Sequence, residues 1–338
     1  MSRAGVQTFI YDRPPAIAAH TSIVGPKEGD GPLARWFDTV LEDDLLGQKS
    51  WELAESEMVR RCAQGALDAA NLSPGAIQAM LGGDLNNQII ATSFAARTLG
   101  VPFLGLYGAC STFVQALALG SALVSAGSLD SALCAASSHF CTAERQFRFP
   151  LELGTQRPPQ ASWTATACGC AVLLPEGAAH GPRVTAGTVG RVIDLEISDA
   201  NHMGAAMAPA VFDTLSAHLE DTRRTADDFD LIVTGDLGWI GRNLLLKLCA
   251  RAGLDMPSGK LVDCGASLYC QEQDAHAGGS GCGCVASVSC GWIMKRIERG
   301  ELRRVLLSGS GAMLSPTSSQ QGQSIPGFSY AVCIEGVD

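Results

Sequence analysis

Two stretches of this chain repeat one another in order and spacing. Cys110 to Gly127 and Gly283 to Gly300 have the same length, and Leu129 and Leu133 after the first are matched by Leu302 and Leu306 after the second. Upstream, Asp230-Leu-Ile-Val-Thr-Gly-Asp236-Leu237 echoes Ile77-Gln-Ala-Met-Leu-Gly-Gly-Asp84-Leu85. Downstream, Ala171-Val-Leu-Leu174 is paralleled by Ala331-Val-Cys-Ile334. Several elements keeping order and distance imply a duplicated supersecondary unit. Within the first copy, a helix over Ile89 to Leu99 is closed by Gly100 and followed by a strand over Phe103 to Tyr107. A helix over Ser111 to Ala126, closed by Gly127, leads to strands over Ala132 to Ala136 and Cys168 to Leu174. Strands alternating with helices predict parallel sheets covered on both faces. Ahead of them, Ile77 to Leu81 reads as a strand, and Trp51, Ala54, Met58, Cys62, Ala66 and Ala69 form the apolar stripe of a helix. The expected division is 1–180, with an N-terminal extension and a polar excursion over 138–164, and 181–338. A chain of 338 residues is long enough for two such units.

Composition narrows the class. Charged residues are 17% of the chain, against a usual share of about 25%, and aromatics are 6%, so Ala, Val, Leu, Gly, Ser and Cys must fill closely stacked layers. Thr98 to Leu129 carries no charge and is long enough to cross a bilayer. Gly100, Pro102, Gly105 and Gly108, then Ser111, Thr112, Gln115, Ser121 and Ser125, instead predict a buried strand, a sharp turn and a buried helix. No signal peptide or transmembrane span is expected. Thirteen cysteines, an odd number, read as free thiols in a reducing compartment. The Cys-x-Cys pairs at 168/170 and 282/284 lack zinc-knuckle spacing and read as small buried hydrophobes. A net charge of −10 without a basic patch excludes nucleic acid.

The chemistry concentrates at Tyr107-Gly-Ala-Cys110-Ser-Thr112, where a strand hands over to a helix. A cysteine there sits over a helix N-terminus, whose unpaired N–H groups lower a thiol pKa, on a tight turn of the nucleophile-elbow kind. Duplicated halves with a cysteine on this turn resemble the thiolase superfamily, which includes the condensing β-ketoacyl synthases. The resemblance implies an α/β, thiolase-like five-layer αβαβα fold from two duplicated halves, a homodimer, and Cys110 at the nucleophile position. It also implies a His-Gln-Ala-Asn segment after a second-half strand and an asparagine-containing turn. Here those places hold Thr234-Gly-Asp236-Leu237 and Gly278-Gly-Ser-Gly-Cys-Gly283. His139 and His276 are the candidates for lining the pocket. His20, His180, His202 and His218 read as surface groups.

A narrower match accounts for the missing groups. Val24-Gly-Pro-Lys-Glu-Gly-Asp-Gly-Pro-Leu33, Gly83-Asp-Leu-Asn-Asn-Gln88, Ser137-Ser-His139 with Thr142-Ala-Glu-Arg-Gln-Phe-Arg148, Gly187-Thr-Val-Gly-Arg-Val-Ile-Asp194, Met207-Ala-Pro-Ala210, Gly278-Gly-Ser-Gly281 and Leu314-Ser-Pro-Thr317 closely resemble the stage V sporulation protein AD family. That family implies binding of dipicolinic acid or its calcium chelate and its uptake into the developing spore. It further implies action at the inner membrane of the forespore beside other stage V sporulation A membrane proteins, with no cofactor. For such a dianion, the N–H groups at Ser111-Thr112 and at the turn holding Gly279 and Gly281 are expected donors. Arg145 and Arg148 are expected to grip a carboxylate, with Cys110 and His139 in the pocket wall. Asp84 and Asp236, equivalent in the two halves, would repel a bare dianion but suit Ca²⁺ brought with it. The alternatives are a strand-end cap for each aspartate and an ion pair with Glu144 or Glu152 for each arginine. A rival reading is a thiolase- or ketoacyl-synthase-like acyltransferase using Cys110.

Overall fold

The computed structural model describes residues 1–148 and 156–337. The first copy supplies β1 (Ala16–Val24), α1 (Trp51–Ala69), β2 (Ala79–Gly83), α2 (Ile90–Leu99), β3 (Phe103–Gly105), α3 (Thr112–Ser125), β4 (Ala132–Ser138), α4 (Phe140–Phe147) and β5 (Ala167–Leu174). The second supplies β6 (Arg183–Val189), α5 (Met203–Thr222), β7 (Leu231–Thr234), α6 (Gly238–Ala252), β8 (Leu261–Asp263), α7 (Cys282–Val288), β9 (Arg304–Ala312) and β10 (Gly327–Glu335). Helix α7 runs on through a π turn at Ser289–Ile293 into a last helical piece, Met294–Glu298.

Strand order repeats: β3-β2-β4-β5-β1 in one sheet and β8-β7-β9-β10-β6 in the other. The sheets meet edge to edge where Arg183 of β6 pairs with Ala16 of β1. Direction repeats too, with β2 parallel to β3 and β4, β7 parallel to β8 and β9, and the remaining two pairings in each sheet antiparallel. The sheets are therefore mixed rather than parallel throughout, because β4 leads into β5 through the polar excursion instead of a covering crossover helix. Ala79 lies opposite Ala132 and Leu231 opposite Val305, which puts Asp84 and Asp236 at matching places beyond β2 and β7.

Five layers follow. Helices α1 and α2 cover one sheet, α5 and α6 the other, and α3 and α7 lie side by side between them. Phe113 and Leu117 of α3 are fully buried there, each contributing about 2–3 kcal/mol by leaving water. The central layer is close enough that a Cβ on Gly169 of β5 would lie 2.3 Å from the Ala286 carbonyl oxygen of α7, which is why this composition is rich in small residues. Among the described residues no helix is long and apolar enough to cross a membrane. The uncharged run from Thr98 to Leu129 is β3, the cysteine turn and α3.

Boundaries shift where turn chemistry intervenes. The strand expected from Ile77 begins at Ala79, because Pro74–Ala76 forms a 3-10 turn closed by Ile77. The strand expected to reach Tyr107 ends at Gly105. The described part of the excursion holds α4 and the pair Trp163–Thr164, which adds in parallel to Gly279–Ser280 of the glycine turn. The N-terminal Gly/Pro/Asp loop bridges the copies. Buried Glu28 accepts from Thr166 N (3.1 Å) and from the Tyr269 hydroxyl, while Lys27 donates to the Gln273 carbonyl and its own carbonyl accepts from Gln273 Nε2 (2.6 Å).

Candidate functional site

Beyond the C-terminal ends of β2, β3 and β9 lies a cavity of about 460 Å³, whose wall includes Tyr107, Cys110, Arg148, Ser280, Met207 and Leu314. Open α/β sheets place ligand sites at this end. Cys110 reaches it from the 3-10 turn Ala109–Ser111 that opens α3. Ala109 has φ +45°, a left-handed conformation that a non-glycine residue holds only under strain.

The turn consumes its own donors. Ser111 N and Oγ both donate to the Gly108 carbonyl (2.9 and 2.6 Å), and Gly108 N donates to Thr112 Oγ1 (3.0 Å). The N–H groups expected for a ligand carboxylate at Ser111 are thus spent inside the turn. Nor is the thiol acidified. Burial raises the Cys110 pKa well above its ordinary value, and the neighbouring Asp236 carboxylate raises it further. A negative charge beside the sulfur and removal from water outweigh the short helical turn's dipole.

Asp236 is buried behind the Cys110 and Ser280 part of the cavity wall. Its Oδ2 accepts from Gly281 N (2.9 Å) and Ser280 Oγ (3.1 Å), its Oδ1 accepts from Ser310 Oγ (3.3 Å), and the Cys110 Sγ lies 4.0 Å from the same Ser280 Oγ. The carboxylate held by the glycine turn is therefore the protein's own. Gly281 takes φ +99° and Gly278 φ +118° to make the turn, and Gly279 joins the ladder with Trp163.

Asp84, its counterpart, does not line the cavity. Its Oδ1 accepts from Asn86 N (2.9 Å) and its Oδ2 from Thr92 N (2.8 Å) and Oγ1 (2.7 Å), so it caps the start of α2 as a strand-end aspartate. Both aspartates are filled by protein donors rather than open to a cation. Beside Asp84 stands a residue the sequence reading passed over. Glu55 of α1 is fully buried and accepts from Asn86 Nδ2 (2.8 Å), Ser137 Oγ (2.9 Å) and Thr142 Oγ1 (3.0 Å). Burial first, then the charge of Asp84, push its carboxyl up to about 8. Its signal was present, since Glu55, Met58, Val59 and Cys62 share one helical face. Asp263, also missed, accepts from Thr234 Oγ1 (2.6 Å) and from Leu237, Gly238 and Ala266 N–H groups.

The two arginines part company. Arg145 turns away, pairing with Glu52 and lying over the Trp51 ring at 5.6 Å. Arg148 faces the cavity, with Nε 2.9 Å from Glu144 Oε1 and Nη2 donating to the Ser162 carbonyl (3.3 Å). The alternative partner Glu152 lies outside the described residues. Arg157, unremarked in the sequence, lies over the Trp163 ring at 4.2 Å, with Lys27 at 4.1 Å from the same ring.

No histidine joins the cysteine. His139 caps α4, its Nδ1 accepting from Cys141 N (3.2 Å) and its Nε2 lying 2.8 Å from the Asp44 carbonyl, so it is turned from the cavity it was expected to line. His276 is exposed, 3.7 Å from Asp274, beside a different hollow with Trp239 and Tyr269. His180 is exposed and His202 caps α5. Two others are not surface groups. His218 is buried against Thr188 (2.8 Å), where burial lowers its pKa to about 4, and the His20 side chain is 4% exposed against Glu298.

Comparisons with known proteins agree with this architecture. Solved structures of 3-oxoacyl-(acyl carrier protein) synthase III from Pseudomonas aeruginosa PAO1 (15% identical, TM-score 0.59, covering 96% of this chain and 99% of that one) and human mitochondrial 3-ketoacyl-CoA thiolase (13%, TM-score 0.61, 96% and 99%) share the fold. A curated relative, stage V sporulation protein AD of Bacillus subtilis (strain 168), is 42% identical over 335 residues, covering 99% of this chain and 98% of that protein. The family model for stage V sporulation protein AD matches residues 5–335. With the thiolase layers and a cysteine turn whose partners are an aspartate and serines, the chain belongs to the stage V sporulation protein AD family.

Proposed function

We propose that the protein captures dipicolinic acid, or its calcium chelate, without chemical turnover, and serves its uptake into the developing spore. The observation that carries this reading is the placing of a buried Cys110 thiol within the field of Asp236. An acyl-transferring thiol needs a base to take its proton and N–H donors for the thioester oxygen. Here the neighbour is a carboxylate that holds the proton on sulfur, and the Gly281 N–H is given to that carboxylate. What survives is a walled cavity of small-ligand size. Arg148 supplies a guanidinium that can form two parallel hydrogen bonds to a carboxylate, and Tyr107, Ser280 and Asn201 add polar groups around it. On a chain of net charge −10, a dianion depends on such local groups or on a cation that travels with it.

The reading places the protein at the inner membrane of the forespore, beside the other stage V sporulation A membrane proteins, as a homodimer. In support of the dimer, the edge strand β3 leaves Leu104 exposed, with Phe94 and Tyr107 exposed on adjoining segments.

Calorimetric titration with dipicolinate, with and without Ca²⁺, tests the binding. A saturable heat at one site per chain is expected, and no heat at millimolar ligand overturns it. Incubation with acyl-CoA tests the silent cysteine. No acyl adduct is expected, and an adduct lost in Cys110→Ala would establish the acyltransferase instead.

A further inference from the structure

Three thiols converge between α1 and β5, remote from the cavity wall. Cys168 and Cys170 are two residues apart on a strand, so both project from one face of β5, and α1 covers that face. Cys62 of α1 closes the triangle. Cys168 Sγ and Cys170 Sγ are 4.0 Å apart, and all three sulfurs lie within 4.8 Å of one another. All three residues are fully buried. Among the described residues no other group of three or more His, Cys, Asp or Glu side chains closes in this way.

The spacing has a chemical meaning. An ion held by three thiolates at about 2.3 Å in a plane keeps its sulfurs about 4.0 Å apart. The three sulfurs already stand near that triangle, on a strand and a helix that fix them. Close packing alone asks for small apolar volume at each position, which alanine would also give. Soft thiolate ligands select soft, closed-shell ions.

Coordination number chooses among those ions. A structural zinc asks for four ligands in a tetrahedron, whereas among the described residues Cys62, Cys168 and Cys170 close as a set of three with no fourth His, Cys, Asp or Glu, which favours Cu(I) among the ions that thiolates select. Cys290, from the π turn that continues α7, packs alongside, its Sγ donating to the Cys170 carbonyl (3.4 Å). Such π turns recur at functional positions.

We infer that Cys62, Cys168 and Cys170 form a buried trigonal site for one soft monovalent ion, Cu(I). Each thiol that ligates releases its proton to solvent, so uptake strengthens as pH rises. With the sulfurs closed off from solvent, loading requires α1 to lift from β5, and the folded apo-protein takes up the ion slowly.

The test uses the full-length reduced protein under anaerobic conditions, incubated with Cu(I) held by a chromophoric chelator. One equivalent is expected to leave the chelator, and X-ray absorption of the loaded wild type is expected to show sulfur alone, three atoms at about 2.3 Å. Cys168→Ala/Cys170→Ala should withdraw none, while Cys249→Ala, a thiol buried elsewhere in α6, should withdraw the same equivalent as the wild type. The inference falls if the wild type withdraws no Cu(I), if absorption shows nitrogen or oxygen ligands, or if the double variant binds as the wild type does. The absorption spectrum decides the matter on wild-type protein, whatever the folding of the variants.

Discussion

The charge of Asp236 bears on the buried thiol of Cys110 and keeps its proton on sulfur, whereas the duplicated counterpart, Asp84, caps a helix instead. One sequence position in two copies has thus been given two tasks. In the first copy it organises backbone; in the second it holds a proton on sulfur at a cavity wall.

Asp236→Asn should wake the cysteine. Burial remains, but the adjacent negative charge goes, so the thiol pKa falls and the thiolate fraction near pH 8 rises. A fall of one pKa unit, about 1.4 kcal/mol, gives roughly tenfold faster alkylation. Iodoacetamide labelling followed by mass spectrometry measures it. An unchanged rate would show that Asp236 does not control the thiol.

Arg148 and Glu144 should move ligand affinity in opposite directions. Arg148→Ala removes the cavity's guanidinium and frees the Glu144 carboxylate, so dipicolinate binding should weaken by about 1.5–3 kcal/mol, the value of hydrogen bonds to a charged group. Glu144→Gln leaves the arginine unpaired for the ligand and should tighten it. Titration of both variants reads the effect, and movement in the same direction would remove Arg148 from the ligand's path.

Glu55 should make stability fall with pH. Its folded pKa, about 8, lies above the ordinary 4.5, so the fold keeps a proton that the unfolded chain releases. The contribution is full below about pH 4.5 and drains away as pH rises through about 8. Thermal melts between pH 5 and 8.5 should show a declining Tm, with a shallower decline in Glu55→Gln. Equal slopes would place the titration elsewhere. Glu55→Ala should cost about 3 kcal/mol at pH 5, because Asn86, Ser137 and Thr142 lose a buried acceptor, and less as pH rises towards 8.

Gly283 occupies, in the second copy, the place of Cys110 in the first. A Cβ there would lie 2.2 Å from the Ala167 carbonyl oxygen and 2.7 Å from Ser138 N. Gly283→Ala should destabilise the protein by about 3 kcal/mol through overpacking, read as a lower urea midpoint. A variant as stable as the wild type would mean that β5 and α7 can part without loss.

The repeat made the architecture readable because it is written in local patterns: the capped helix before Gly100, the turn at Cys110, the matched Leu129 and Leu302. Mixed strand direction was not readable, since nothing local marks a connection that returns antiparallel. At the site, Cys110 was legible from its turn, but the partner that sets its chemistry lies in the other copy. His139 and Arg145 sit in the expected segment and point elsewhere, because helix α4 turns one face to the cavity and the other to Trp51 and Asp44. Asp236 was singled out for its position, yet its use of the Gly281 N–H is a long-range contact that spacing does not carry. Glu55 shows the converse: its buried helical face was legible, its meaning only once three donors were seen around it.

The loop carrying Lys27 and Glu28 acts as a rivet. It belongs to the first copy and grips the segment Tyr269 to Gln273 of the second, across the entrance to the glycine turn. Together with the shared central layer, it makes the ancestral units inseparable. A chain cut between them yields fragments that each expose half of an interior, so denaturation proceeds as one concerted event, and the duplication survives as history rather than as two folding units.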